Sequence, residues 1–187
     1  MGFSTSLTNH FLIAMPGLQD PNFARTVTYI CEHTEQGAMG IVINRPTEVT
    51  VGDLLSQLDI HTRLERVRKT PVYQGGPVQM DRGFVLHAAG LSFDSTLNIN
   101  DVLSVTTSRD VLEAIAGGEG PPQSLIALGY AGWGCGQLEQ ELSANAWLSG
   151  PADSHIIFRL DAEARWLAAA KLLGIDIHLL SGEAGHA

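Results

Sequence analysis

Residues 129–142 read GYAGWGCGQLEQEL, and they continue the apolar run SLIALGY of residues 124–130. The order is strand, glycine-rich turn, then a polar helix-compatible segment. That grammar fits three structures: a phosphate-binding loop, a nucleophile on a turn, or a tight structural corner. A Walker loop needs Lys followed by Ser or Thr after its last glycine, whereas Gly136 is followed by Gln137-Leu138-Glu139. The dinucleotide pattern G-x-G-x-x-G also fails, because the position it requires after Gly132 and Gly134 is Gln137. No Lys or Arg occurs between Asp110 and Phe158, and Glu139 and Glu141 already complement the helix N-terminus that a phosphate would use. The stretch therefore reads as a corner between a central strand and a helix.

Working outward, strands are expected at Phe11 to Met15, Thr26 to Glu32, Met39 to Asn44, Pro71 to Gln74, Phe84 to His87, Leu103 to Thr106, Ser124 to Tyr130 and Ile156 to Arg159. In the second of these, simple alternation puts Val27, Tyr29, Cys31 and His33 on one face. Helices are expected after the Thr50 cap, from Asp110 to Ala116 behind Thr107 or Ser108, from Gln137 to Leu148, and from Asp161 to Leu173, where Gly174 ends the run. Strands outnumber helices and do not alternate with them. The fold class is α+β, with mostly antiparallel, coiled sheets and a few packed helices, in one domain spanning residues 1–187.

The formal net charge is −9, and hydrophobic residues make up 44% of the 187. The charge argues against nucleic-acid binding, which needs clustered cations, and the apolar fraction supports a real core. The basic cluster, Arg63, Arg66, Arg68 and Lys69, reads as a solvated loop or helix edge, and Glu139-Gln140-Glu141 as a solvated acidic face. No secretory signal or membrane span is visible, so the expected location is the cytosol. Gly2 and Ser6 match a myristoylation pattern that only a eukaryotic cytosol would use.

The two cysteines, Cys31 and Cys135, are expected as free thiols in that compartment. Cys31 with His33 as its base is the candidate centre of a thiol-dependent enzyme or thiol sensor, set against the alternative that Cys31 is an inert core residue. The seven His lie at 10, 33, 61, 87, 155, 178 and 186, without CxxC, HxxxH or HExxH spacing, so no metal site and no cofactor is assigned. A small-molecule site would draw on Asn44, Arg45, Trp133, Gln137 and Glu139, with Arg45 suited to a carboxylate or phosphate.

Long stretches resemble the YqgE/AlgH family of bacterial proteins: NHFLIAMPGLQDPNFARTVTYICEHTEQGAMGIVINRP, PVYQGGPV, GFVLH, GYAGWGCGQLEQELSANAWL, the RW helix and the closing GHA. The resemblance covers nearly the whole chain. It implies bifurcated, coiled β-sheets with packed helices and a bacterial cytosolic protein. It also brings a transcription-regulator label, while assigning no catalytic role to any residue. The combined expectation is a non-catalytic binding or regulatory protein whose partner is another protein, with no oligomeric state specified.

Overall fold

The computed structural model describes residues 5–181. Gly2 of the myristoylation pattern and the closing GHA lie outside the described residues. Ten strands run in the order β1 (His10–Ala14), β2 (Val27–Thr34), β3 (Gly37–Val42), β4 (Pro46–Thr50), β5 (Pro71–Gln74), β6 (Val78–Ala88), β7 (Thr96–Asn98), β8 (Leu103–Thr106), β9 (Ser124–Trp133) and β10 (Trp147–Pro151). Between and after them lie α1 (Val51–Gln57), α2 (Glu65–Lys69), α3 (Arg109–Ala116), α4 (Gln137–Ser143), α5 (Ser154–Phe158), α6 (Arg165–Leu172) and α7 (Ile177–Ser181). The main path of the sheet is β10-β1-β2-β3-β9-β6-β8-β7, with β4 and β5 branching off β9. All pairings are antiparallel except β5 with β9. This is the α+β, forked-sheet architecture expected.

β9 makes the fork. Ala131, Gly132 and Trp133 pair with β3, while Ser124 to Leu128 and, past a register shift, Tyr130 pair with β6, and Ala127 and Leu128 also with β5. The chain therefore passes from one sheet to the other within a single strand. Gly129, at φ 79°, sits at the changeover, where a Cβ would stand 2.4 Å from the Gly76 carbonyl oxygen. Two glycine motifs far apart in sequence thus meet backbone to backbone. The strand runs on to Trp133, three residues past the expected end, and the corner comes at Gly134 to Gly136.

Three apolar clusters fill the fold. The largest holds Phe11, Tyr29, Cys31, Phe84 and Trp166; a second lies under α1 and α3; a third joins Leu12, Ile30, Trp133, Leu138 and Trp147. Cap chemistry explains α1: the Thr50 hydroxyl accepts from the Asp53 amide, and the Asp53 carboxylate accepts from the Thr50 amide.

Several expected elements differ. Ile156 to Phe158 is helical, not extended, with Arg159 as the C-cap. Asp153 caps α5 by accepting from the His155 amide, and a short apolar run carries too little periodicity to separate helix from strand. The helix expected from Gln137 to Leu148 stops at Ser143, because Asn145 turns to φ 59° and Trp147 to Pro151 pair with β1. The helix expected from Asp161 to Leu173 begins as a 3-10 turn at Ala162–Ala164, and the Asp161 side chain makes no cap bond. Within β2 the register shifts between Ile30 and Glu32, a β-bulge.

Candidate functional site

That bulge reorders the face on which the thiol reading depended. Ile30 pairs with Gly40, but Glu32 pairs with Met39 and His33 with Ala38. Cys31 stays with Tyr29 in the largest core cluster, while His33 turns to the opposite face, where Ala38 packs with Trp133 and Leu138. Cys31 and His33 form no dyad. Cys31 is 2% exposed, its Sγ faces the Tyr29 carbonyl at 4.0 Å, and burial followed by the Glu32 charge pushes the thiol from 9.0 up to about 12. Cys135 is an exposed free thiol on the corner.

The corner itself is closed by its own side chains. Gly136 adopts φ 75° as α4 begins. Oε1 of Gln137 accepts from the Gly134 amide at 3.0 Å, the donor a phosphate would have used, and Nε2 of Gln137 donates to Oε2 of Glu141 at 3.0 Å. Oε1 of Glu141 also accepts both indole N–H groups, from Trp133 at 3.1 Å and Trp147 at 2.9 Å. Phe23 packs on both rings, with centroids 6.1 and 5.5 Å away. Glu139 bonds the His33 ring across the sheet at 2.5 Å. Glu139 and Glu141 are therefore structural acceptors rather than the solvated acidic face expected; their spacing put them on a helix, but only the fold shows what they accept from.

Asn44 and Arg45 also serve the fold. Asn44 accepts from the Val27 amide and donates to the Arg25 carbonyl, both at 2.9 Å. Arg45 donates to the carbonyls of Asn22 at 2.7 Å and Ala24 at 3.0 Å. Together they hold the 20–25 loop, and neither lines the large cleft that Trp133 borders. In the basic cluster, Glu65 pairs with Arg68 at 3.5 Å and Lys69 at 3.6 Å, leaving it an exposed helix edge as expected.

Where the sheets part, an open cleft of about 920 Å³ runs between the β2–β3 hairpin and the β6–β8 sheet. Phe84 and Tyr130 form its floor, edge to face at 5.6 Å, with Met39 and Val105 beside them. The guanidinium of Arg82 lies 5.4 Å above the Phe84 ring. Glu32, turned here by the bulge, and Asp94 line it as acids, and Leu97 of β7 lines it while 46% exposed. Sequence reading missed this cleft because its walls come from well-separated segments, with no motif-length signature. The nearest signal was the glycines that let β9 fork.

Among the described residues no helix is long and apolar enough to cross a membrane, and no group of three or more His, Cys, Asp or Glu could hold a metal.

Comparison with known proteins agrees with the forked architecture. A UPF0301 protein of Thioalkalivibrio sulfidiphilus is 58% identical over 187 residues, covering 100% of both chains. One from Nitrosococcus oceani is 56% identical over 179 residues, covering 96% of both. The solution structure of the AlgH protein from Pseudomonas aeruginosa superimposes with a TM-score of 0.81 at 56% identity, covering 100% of this chain and 99% of that one. A Corynebacterium diphtheriae protein of known crystal structure shares the fold at a TM-score of 0.75 and 21% identity, covering 97% of this chain and 94% of that one. The family model described as AlgH-like matches residues 11–178, and this chain belongs to the AlgH-like family.

Proposed function

We propose that this chain is a non-catalytic binding protein that takes an extended segment of another protein into the cleft at the sheet fork. The observation that carries the reading is the cleft itself: an open groove, floored by the half-buried Tyr130 ring packed on the buried Phe84, beside β7, the last strand of the sheet path. A terminal strand offers unpaired backbone groups for strand addition, and the cleft-facing side chains of the added segment would meet Leu97 and Tyr130. Glu32 and Asp94 favour a segment that also carries Lys or Arg. In a bacterial cytosol, a regulatory role in transcription would then act through the protein partner rather than through DNA contact. A thiol enzyme or sensor centred on Cys31 and His33 draws no support from their opposite orientations.

The test is selection of extended peptides from a random library against the purified chain, followed by amide-shift mapping. The reading expects selected peptides to alternate apolar and basic residues, to perturb Thr96 to Asn98 and Tyr130, and to bind at least about tenfold more weakly to Leu97→Ala, which alters an exposed side chain of the cleft. Peptides that map elsewhere, or a library that yields none, would overturn it.

A further inference from the structure

A second cavity, of about 610 Å³, lies at the other end of β9, where Ser124 to Ile126 line it. Its walls are α2, the 118–123 loop and the turn between α5 and α6. Among the described residues three arginines line it, Arg66, Arg159 and Arg165, and no Asp or Glu does. In a chain of net charge −9, an all-cationic cavity runs against the average field of the molecule.

Arg165 is the key group. It is 5% exposed, and arginine is rarely buried without a paired charge. Among the described residues none of the three arginines joins a salt bridge. Nε and Nη2 of Arg165 donate to the Leu160 carbonyl at 3.1 and 2.9 Å, and Nη1 donates to the Ile43 carbonyl. The guanidinium also lies 5.2 Å from the Tyr73 ring centroid. Those bonds use three of five N–H donors, leaving one on each terminal nitrogen for a further acceptor. Arg159 is positioned by Gln123, whose Oε1, in the amide orientation that satisfies both groups, accepts from Nε at 2.9 Å and Nη2 at 3.3 Å. One stretch of the wall is apolar, with Ile115, Leu125 and Phe158, beside the polar side chains of Thr70, Gln123 and Ser124.

We propose that this cavity binds a small organic oxyanion, a phosphate or carboxylate on an apolar or aromatic body. The anion supplies the counter-charge that Arg165 lacks, in the fork geometry guanidinium groups favour. The body lies on the apolar wall, and the volume falls within the ordinary range for small-molecule sites. Arg66 and Arg159, exposed at the mouth, guide and clamp the anion.

The experiment titrates the full chain with phenyl phosphate, benzoate and, as a neutral control, benzyl alcohol. It follows backbone amides and the arginine Nε–H resonances by NMR. Saturable shifts at Arg165 Nε–H and Ser124 are expected with a Kd of about 1 mM or tighter for at least one anion. The tighter of the two anions identifies the recognised group. Arg159→Gln and Arg66→Gln alter exposed side chains and should keep the fold while weakening binding about tenfold each. Absence of saturable shifts with both anions, equal binding of benzyl alcohol, or unchanged affinity in both variants would overturn the proposal.

Discussion

Nε2 of His33 on β2 lies 2.5 Å from Oε1 of Glu139 on α4, joining residues 106 apart in the chain. The other ring nitrogen, Nδ1, accepts from the Leu7 amide at 2.9 Å. An acceptor at Nδ1 fixes the tautomer: the proton sits on Nε2 and is donated to the carboxylate. The arrangement resembles the carboxylate–histidine half of a catalytic triad with the ring nitrogens exchanged, and a backbone amide occupies the nitrogen that a nucleophile would need. The pair is a staple between the sheet and the corner helix.

This staple carries a pH signature. The hydrogen bond from His33 holds the Glu139 carboxyl below its ordinary value of 4.5. A depressed carboxyl contributes stability that is present above the unfolded value and lost as pH falls through the folded one. Glu139→Gln should therefore cost about 1 kcal/mol near neutral pH, a figure kept small by solvent screening of the half-open carboxylate. The difference between variant and parent should shrink below pH 4.5. Urea unfolding across that range measures it, and a difference independent of pH would show that the charge is not what matters.

The thiols should separate cleanly. The exposed Cys135 is expected to alkylate in the native state, and Cys31 only through unfolding. Because the folded Cys31 thiol is raised from 9.0 to about 12, its neutral form favours the native state below pH 9, and this contribution falls away as pH climbs from 9 towards 12. Cys31→Ser should destabilise by about 1–3 kcal/mol, because the hydroxyl is buried with only the Tyr29 carbonyl in view. Native-state alkylation of both single-cysteine variants reads this out, and rapid labelling of Cys31 would contradict its burial.

What the sequence made legible was local. Pro71–Gln74 and Leu103–Thr106 form the strands their β-branched and aromatic content suggests, and the Thr50-Asp53 capping box announces α1. The misread features depend on distant partners. Whether Trp147 to Pro151 is helix or strand is decided by β1, more than a hundred residues earlier. The bulge in β2 exists only as a mismatch with β3, so period-2 reading put Cys31 and His33 together when they point apart. Polar residues suffered most. Asn44, Arg45, Gln137, Glu139 and Glu141 have the composition of a ligand site, but a forked sheet leaves many carbonyls and amides that such side chains must satisfy first.

Glu141 offers a second test of that view. Its carboxylate is the acceptor for two indoles, with Trp133 and Trp147 only 5% and 4% exposed. Glu141→Leu would strand both N–H groups, and each buried unsatisfied donor costs about 1–3 kcal/mol, so a loss of about 2–4 kcal/mol is expected. Glu141→Gln keeps one carbonyl oxygen and should recover about half. A lower urea midpoint at constant slope would place the effect in native stability. A neutral result for Glu141→Leu would mean the indoles find other partners.

The fork in β9 rests on the backbone contact between its two glycine motifs, and it separates strongly under substitution. A Cβ at Gly76 would stand 2.1 Å from the Tyr130 carbonyl carbon and 2.4 Å from the Ala131 nitrogen, at φ 156°. These are backbone atoms of the central strand, so no side chain can rotate away. Gly76→Ala must push β5 and β6 off β9 or bend β9 itself, and should cost more than about 3 kcal/mol. Gly83 is the matched control on β6: nothing lies within 4 Å of its Cβ position, and its φ is not positive. Gly83→Ala should stabilise by up to about 1 kcal/mol by limiting the freedom of the unfolded chain. Both variants sit on or beside the same strand, so a general intolerance of glycine replacement would destabilise both. Opposite signs in denaturant unfolding isolate the crossing of Gly76 over Tyr130 as the contact that divides one sheet into two.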